Sequence, residues 1–395
     1  MSAFAGKHIL IIIENLSAPF DRRVWQEACT LKEEGAKISI ICPKMKGQNK
    51  SYEVIDDIEI FRHPLPMEGS GAFGYLLEYS TALFWQGWLG LKIFLHKRFH
   101  VIHGCNPPDL IFLTALPYKL FGVKYVFDHH DINPELYLAK FARKDLFYRI
   151  MLWLERLTFM TANFSIATNE SYKEIAIRRG KMSPDKVTVV RSGPGLKRMK
   201  ITDGNQVYKK NKKFLVGYLG VIGGQEGLDL LMQTVKLIKQ KRNDIQFAIV
   251  GGGTDLEKIK KLATQLKIDD CVDFYGRVDD TLMVDVLNTC DICVNPDKPT
   301  EMNNLSTMNK IMEYMALKKP IVQFDLKEGR FSAGDASLYV RHNDVEDFAT
   351  KIMYLLDTPE IGKKMGEFGY HRVLKELSWD HESKRLVDFY KMVFH

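Results

Sequence analysis

Apolar residues in the first half of the chain cluster into short runs rich in Ile and Val, at residues 8–13, 37–42, 58–62, 100–103, 123–128, 164–168 and 187–190. Runs of this length and composition read as strands buried on both faces, as parallel strands are. The stretches between them, near residues 21–35, 74–97, 107–121, 144–162 and 170–179, read as helices. This repeated β-α order predicts a doubly wound open sheet. Residues 196–213 break the pattern with many charges and little apolar periodicity, as a linker or surface crossover does. The alternation then restarts, with strands at 214–219, 245–250, 272–275, 291–294, 320–324 and 337–340. Helices are expected between them near 226–241, 254–266, 279–288, 307–317, 345–357 and 359–374. The prediction is two α/β domains of similar size, each with its own parallel sheet. A cleft between the carboxyl edges of the two sheets is where strand-end loops and helix N-termini would bind ligands.

Composition changes this picture little. The 395 residues suit two domains of roughly 200 residues each. The net charge of +7 suits anionic lipid or a phosphorylated ligand, identifies neither, and also fits an ordinary solvated surface; no nucleic-acid partner is expected. Six cysteines at 29, 42, 105, 271, 290 and 293 form no secreted framework, and Cys290-x-x-Cys293 lacks the second ligand pair of a structural zinc site. A buried strand-edge role and a reducing, cytoplasmic compartment follow. Near the start, only five apolar residues, Ile9 to Ile13, precede Glu14 and Asn15, which reads as a first strand and not a signal peptide. Residues 73–95 carry Phe73, Leu76, Trp85, Trp88 and other apolar side chains, but Glu78, Gln86 and Lys92 interrupt them, so the segment is not expected to span a membrane.

Candidate chemistry sits after the strands. Residues 214–219 run into Gly220-Val221-Ile222-Gly223-Gly224-Gln225-Glu226-Gly227 and then a helix. Glycines let the backbone approach a ligand, and the helix N-terminus suits a pyrophosphate, although a tight turn without ligand is an equal alternative. Gly251-Gly252-Gly253 is a second such turn, open to a flat nucleobase or ribose or to no ligand at all. In the segment 303–316, Ser306 or Thr307 is expected to cap a helix whose first turn carries Lys310. Glu313 is placed to accept hydrogen bonds from a diol such as a ribose. A plain surface pair between Lys310 and Glu313, at helical spacing, is the competing reading.

The segment 304–325, with Ser306-Thr307, Lys310-Ile311-Met312-Glu313-Tyr314-Met315-Ala316, Lys319-Pro320-Ile321-Val322 and Asp325, resembles the donor-site region of family 4 (group 1) glycosyltransferases. Asp21-Arg22-Arg23-Val24-Trp25, Asn106-Pro107-Pro108-Asp109, Asp128-His129-His130-Asp131 and Pro134-Glu135-Leu136-Tyr137 are similar to the O-antigen and capsule branch, which includes N-acetylfucosamine-type transferases. The resemblance covers nearly the whole chain. It implies the GT-B fold: an acceptor-binding Rossmann-like domain over 1–198, a nucleotide-sugar domain over 199–375, and a C-terminal helix over 376–395 returning to the first domain. It further implies retention of anomeric configuration, no cofactor and no metal, with which the lack of any D-x-D triplet agrees. Nucleotide-binding roles are expected for Gly223, Gly224, Gly251, Gly253, Arg277, Ser306, Thr307, Lys310 and Glu313, and catalytic roles for His130, Asp131 and Lys310. In that family a histidine at the place of His130 touches the donor sugar. A neutral imidazole is expected there, its tautomer fixed by Asp131 or a backbone carbonyl.

Three departures from the family pattern stand out. Leu305 occupies the place of the first acid of the E-x7-E motif, with Asp297 and Glu301 nearby but out of register. The usual Arg and Lys after the first strand of the second domain correspond to about Val221 and Gln225, and the glycine turn persists without those charges. The expected reaction moves a sugar from a nucleotide donor, UDP-linked, to a lipid-linked glycan acceptor at the inner leaflet, in surface polysaccharide assembly. A GT-B nucleotide-sugar epimerase and a catalytically silent, membrane-associated glycan-binding protein are the alternatives. Residues 73–98 and 140–156 combine Trp85, Trp88 and Trp153 with Lys92, Lys97, Lys140, Lys144 and Arg149, suited to a peripheral membrane contact or to core packing.

Overall fold

The computed structural model describes residues 2–45, 47–65 and 71–395; the side chains of residues 71–76, Phe73 and Leu76 among them, lie outside that description. The chain divides into two compact units, Met1–Ser192 with Glu382–His395, and Gly193–His381.

The first unit alternates β1 (His8–Ile13), α1 (Arg22–Glu33), β2 (Lys37–Pro43), β3 (Tyr52–Ile55), β4 (Ile58–His63), α2 (Gly71–His96), β5 (Val101–Cys105) and α3 (Ile111–Lys119). It continues through β6 (Lys124–His129), α4 (Asn133–Phe141), α5 (Leu146–Thr161), β7 (Phe164–Ala167), α6 (Glu170–Arg178) and β8 (Val187–Val189). Its sheet has the order β3-β4-β2-β1-β5-β6-β7-β8. All six residues of β1 are buried, as a central strand covered on both faces requires. The strand order reverses between β1 and β5, so the loops after these strands face a topological switch point. The sheet is not wholly parallel: β3 pairs antiparallel with β4. Asp56 and Asp57 hold φ of 48° and 59° between them, the left-handed pair of a two-residue hairpin turn.

The second unit holds β9 (Phe214–Leu219), α7 (Leu228–Lys239), β10 (Ile245–Val250), α8 (Leu256–Gln265), β11 (Val272–Gly276), α9 (Asp280–Thr289) and β12 (Ile292–Asn295). After these come α10 (Glu301–Leu305), α11 (Asn309–Ala316), β13 (Ile321–Phe324), α12 (Lys327–Ala333), β14 (Ser337–Val340), α13 (Val345–Asp357) and α14 (Pro359–Arg372). Its sheet, β11-β10-β9-β12-β13-β14, is parallel throughout and reverses between β9 and β12. Apolar clusters cover both faces, one around Met232, Phe247 and Phe348, the other around Val286, Met312 and Met315. The charged stretch before β9 is docked, not loose: Asn288 and Thr289 of α9 bind the Thr202 and Asn205 amides at 3.2 and 2.7 Å, and Met199 is buried.

The last helix, α15 (Trp379–Phe394), belongs to the first unit from Glu382 onward. There it buries Leu386, Phe389, Tyr390 and Val393 and sets the Tyr390 ring at a tilt to Phe4, 6.2 Å between centres. All six cysteines are free thiols, and Cys290 and Cys293 are buried. Among the described residues no helix is long and apolar enough to cross a membrane.

Candidate active site

Each unit gathers polar groups at the carboxyl edge of its sheet. In the second unit β9 ends at the Gly220–Gly227 turn and α11 leans over it. Tyr314 makes that connection, its hydroxyl accepting from the Leu219 amide at 2.7 Å and lying 3.3 Å from the Val294 carbonyl. This places Lys310 against the turn, its Nζ 4.8 Å from the centre of the Tyr218 ring. Lys310 does not pair with Glu313. Its ammonium sits 3.0 Å from Asp297 Oδ1, and this aspartate is only 1% exposed. Burial alone would lower the Lys310 pKa, and Asp297 outweighs it, so the lysine is held charged. The second carboxylate oxygen of Asp297 is buried with no hydrogen-bond partner.

Glu313 instead forms an ion pair with Arg198, which also approaches Asp280 at 3.3 Å. The expected helix cap at Ser306 or Thr307 is corrected. A short helix, α10, intervenes and is capped by Thr300, so Ser306 follows its end and donates back to the Met302 carbonyl at 2.7 Å. Met308 occupies the cap position of α11 and supplies no side-chain cap.

The second glycine turn packs on the first. A Cβ at Gly251 would lie 1.8 Å from the Gly220 carbonyl oxygen, and one at Gly253 would lie 2.3 Å from that of Ile222. The Ile222 amide donates to the Gly252 carbonyl at 3.0 Å. Neighbouring backbone therefore accounts for the missing side chains at Gly251 and Gly253, whereas Gly224 is open, with Asp255 as its nearest neighbour at 3.8 Å. Gly223 donates its N–H to Glu226 Oε2 at 3.0 Å. Arg277 follows β11, its backbone N 3.8 Å from where a Gly252 Cβ would stand.

In the first unit Asp128, the fifth residue of β6, is a buried hub. Arg23, at the start of α1, donates to it through Nη2 at 2.9 Å and Nε at 3.3 Å, and also reaches Glu27 at 3.0 Å. His103 Nε2 lies 3.2 Å from Asp128, while its Nδ1 lies 2.7 Å from the Tyr390 hydroxyl of α15. His130 Nε2 meets Asp128 Oδ2 at 2.5 Å and lies 2.9 Å from Arg23 Nε. Burial would lower the His130 pKa, but the Asp128 charge outweighs it and holds the ring protonated well above its ordinary value. Burial would likewise raise Asp128, and Arg23 and His130 hold it well below the carboxylate range.

The side chain that meets the ring is not Asp131 but Asp128, two residues earlier in the strand, and its charge raises the His130 pKa. Asp131 is placed by its backbone: Asn106 Oδ1 accepts from the amides of His130 and Asp131 at 2.7 and 3.1 Å, and Asn106 Nδ2 donates to the Asp131 carbonyl at 2.6 Å. Burial raises the Asp131 pKa. His129 points the other way, into a core of Phe127, Phe159 and Tyr172, where burial lowers its pKa to about 3. It is a neutral core histidine. Glu14, directly after β1, is buried beside Gln86 and pushed up to about 8 by that burial.

Two sets of side chains in the hub, His103–Cys105–Asp128 and Glu27–Asp128–His130, are close enough to ligate a metal ion. Arg23 already lies against both Asp128 and Glu27, so a divalent ion there would face a fixed cation.

Two doubly wound units with polar groups at their carboxyl edges define a GT-B glycosyltransferase fold. A family model described as "Glycosyl transferase 4-like domain" matches residues 21–193, and one described as "Glycosyl transferases group 1" matches residues 213–358. The chain belongs to the group 1 glycosyltransferases. It is similar to the capsular polysaccharide biosynthesis glycosyltransferase CapM of Staphylococcus aureus, with 24% identity over 251 residues covering 58% of this chain and 62% of that one. The chain spans 32–62% of the lengths of the curated relatives it matches. Sucrose-phosphate synthase from Thermosynechococcus elongatus shares the fold at a TM-score of 0.82 and 17% identity, covering 98% of this chain and 99% of that one. Anabaena HepE, solved with UDP and glucose, does so at a TM-score of 0.74 and 13% identity, covering 98% and 100%.

Proposed function

We propose that this protein transfers a sugar, with retention, from a UDP-linked donor to a lipid-linked glycan acceptor in surface polysaccharide assembly. The observation that carries the reading is the buried Lys310–Asp297 pair against the glycine turn that opens α7. As the nucleotide departs, negative charge grows on its phosphates. A lysine kept charged by a buried carboxylate, the turn amides and the α7 N-terminus are suited to meet that charge without a metal or other cofactor. Glu313 is assigned to the ribose diol and Arg277 to the phosphates. His130, as an imidazolium backed by Asp128, is assigned to the transferred sugar. The pair is neutral overall, so it can donate a hydrogen bond without opposing positive charge on the sugar. The S. aureus relative, named for capsule biosynthesis, and the UDP held by the Anabaena protein support the choice of pathway and nucleotide.

The reading includes peripheral attachment to the inner face of the cell membrane. α3 packs against both α2 and α5. On these helices and the turn after α3, Phe84, Trp88, Leu95, Leu120, Phe147 and Trp153 are each more than half exposed. Aromatic side chains exposed beside Lys92, Lys144 and Arg149 suit a lipid interface. Sedimentation with anionic vesicles should be lost in Trp88→Ser/Trp153→Ser.

The test of the reaction is transfer from UDP-sugars to a lipid-linked acceptor, followed beside hydrolysis without acceptor. Transfer confirms the reading. Interconversion of donor sugars without acceptor would show an epimerase, and binding without any turnover would show a glycan-binding protein.

A further inference from the structure

The glycine turn holds an acid where a phosphate would be expected to sit. Glu226 curls back from the end of the turn, and its Oε2 takes the Gly223 N–H at 3.0 Å, one of the donors the turn could offer an anion. The groups facing it come from every element around the turn. β9 contributes Tyr218, the loop after β12 contributes Asp297, and α11 contributes Lys310. Lys298 is engaged by Asp229 of α7 at 2.9 Å, Asp255 stands beside Gly224, and Arg277 follows β11. Lys310 is already matched by Asp297 at 3.0 Å. A diphosphate entering beside an ionised Glu226 would lose the Gly223 N–H to a carboxylate and face its charge at close range.

On the reading that this turn receives the donor, we propose that Glu226 meets the diphosphate as a neutral acid. One proton is taken from solvent on binding, the carboxyl O–H then donates to a phosphate oxygen, and the Gly223 N–H passes to the phosphate. No other bond changes. Burial and the neighbouring Asp297 already raise the Glu226 pKa, which lowers the cost of adding that proton. The acid thereby becomes a donor to the leaving group, and donor affinity declines as pH rises, because the proton must be supplied.

The experiment is calorimetry of UDP-, GDP- and dTDP-glucose with the full chain at pH 6 to 9, in buffers of different ionisation enthalpy. The diphosphate diester of these probes does not titrate in that range. The expected result is proton uptake approaching one per donor bound, with affinity falling up to about tenfold per pH unit once the free carboxyl is ionised. Glu226→Gln, which mimics the neutral acid, should bind at least as tightly at pH 8, without proton uptake and without the pH dependence. Glu226→Ala should also lose the uptake but bind more weakly than Glu226→Gln. Binding without uptake in the unmodified protein, or uptake that persists in Glu226→Gln, overturns the role of Glu226 and leaves the donor site standing. Binding of none of the three sugars overturns the donor-site reading and this inference with it.

Discussion

Asp128→Asn should destabilise the first unit and discharge His130. Asp128 is completely buried and is in contact with Arg23 and with both nearby histidines, His103 and His130, while Glu27 touches only Arg23 and His103. Removing one partner of a buried ion pair typically costs about 3–5 kcal/mol. Arg23 keeps Glu27 at 3.0 Å, and asparagine still offers one acceptor, which places this substitution near the lower figure. For a unit of this size each kcal/mol moves the midpoint by about 2–4 °C, so the transition should fall by about 6–12 °C. The second readout is the His130 ring followed by NMR across pH. In the native protein the Asp128 charge raises its pKa above the ordinary histidine value. In the variant the largest influence opposing burial is gone, and the ring should titrate at a lower pH than in the native protein. Combining the change with Arg23→Gln should cost less than the two separate losses together, since both remove the same contact. A transition shifted by less than about 2 °C, with His130 titrating as before, would refute the hub as the source of the imidazolium.

Three further outcomes are expected. Lys310→Ala should lower turnover at saturating donor by tenfold or more, roughly 1.4 kcal/mol of transition-state stabilisation, with a smaller loss of UDP affinity, because leaving-group charge peaks in the transition state; equal losses in both would make it a ground-state contact. Glu313→Ala should weaken UDP by about 1.5–3 kcal/mol in calorimetry, the worth of a hydrogen bond to a charged group, and unchanged affinity in a folded variant would remove the ribose assignment. His129 has a pKa near 3 in the fold and near 6.5 unfolded, so between those values the unfolded chain binds the extra proton. Stability should therefore decline by up to about 1.4 kcal/mol per pH unit as pH falls from 6.5 towards 3. His129→Phe should flatten that slope in urea unfolding at pH 7 and 4, and an unaltered slope would place the acid sensitivity elsewhere.

What the sequence disclosed and what it hid follow from the range of the interactions. Strands such as β1 and β10 are buried along their whole length, so an unbroken apolar run marks them. β3 has only four residues with alternating exposure, and its signal was the Asp56-Asp57 turn rather than its own side chains. α10 and α12 span five and seven residues, too short for a helical period to emerge, and missing α10 misplaced the cap of α11. Lys310 was legible because it lies in the first turn of an amphipathic helix, α11. Its partner was not, since Asp297 reaches it across a loop and α10, with no fixed spacing to search for. Arg23 and Asp128 are 105 positions apart, a pairing that only the sheet order creates. His130 drew attention as part of a polar run, but the residue that decides its charge was the aspartate still inside the strand.

The two units solve the same electrostatic problem in the same way. Each sets a cationic group at the carboxyl edge of its sheet, His130 in one and Lys310 in the other, and backs it with an aspartate exposed by no more than 1%. Burying such a carboxylate is costly, and leaving one Asp297 oxygen without a partner adds to the cost. Stability alone does not recommend the arrangement, because an apolar pair of similar volume would serve as well. What the pair supplies is a donor fixed in charge and direction that brings little net charge of its own. A ligand carrying negative charge at one end and developing positive charge at the other needs donors of that kind, since a bare cation would aid one end and oppose the other. The overall charge of +7 cannot provide this discrimination, being distributed over the surface and screened by salt within about 10 Å. Recognition on this reading rests on paired groups buried from one side, which is why the residues that decide it are aspartates that a ligand would never touch.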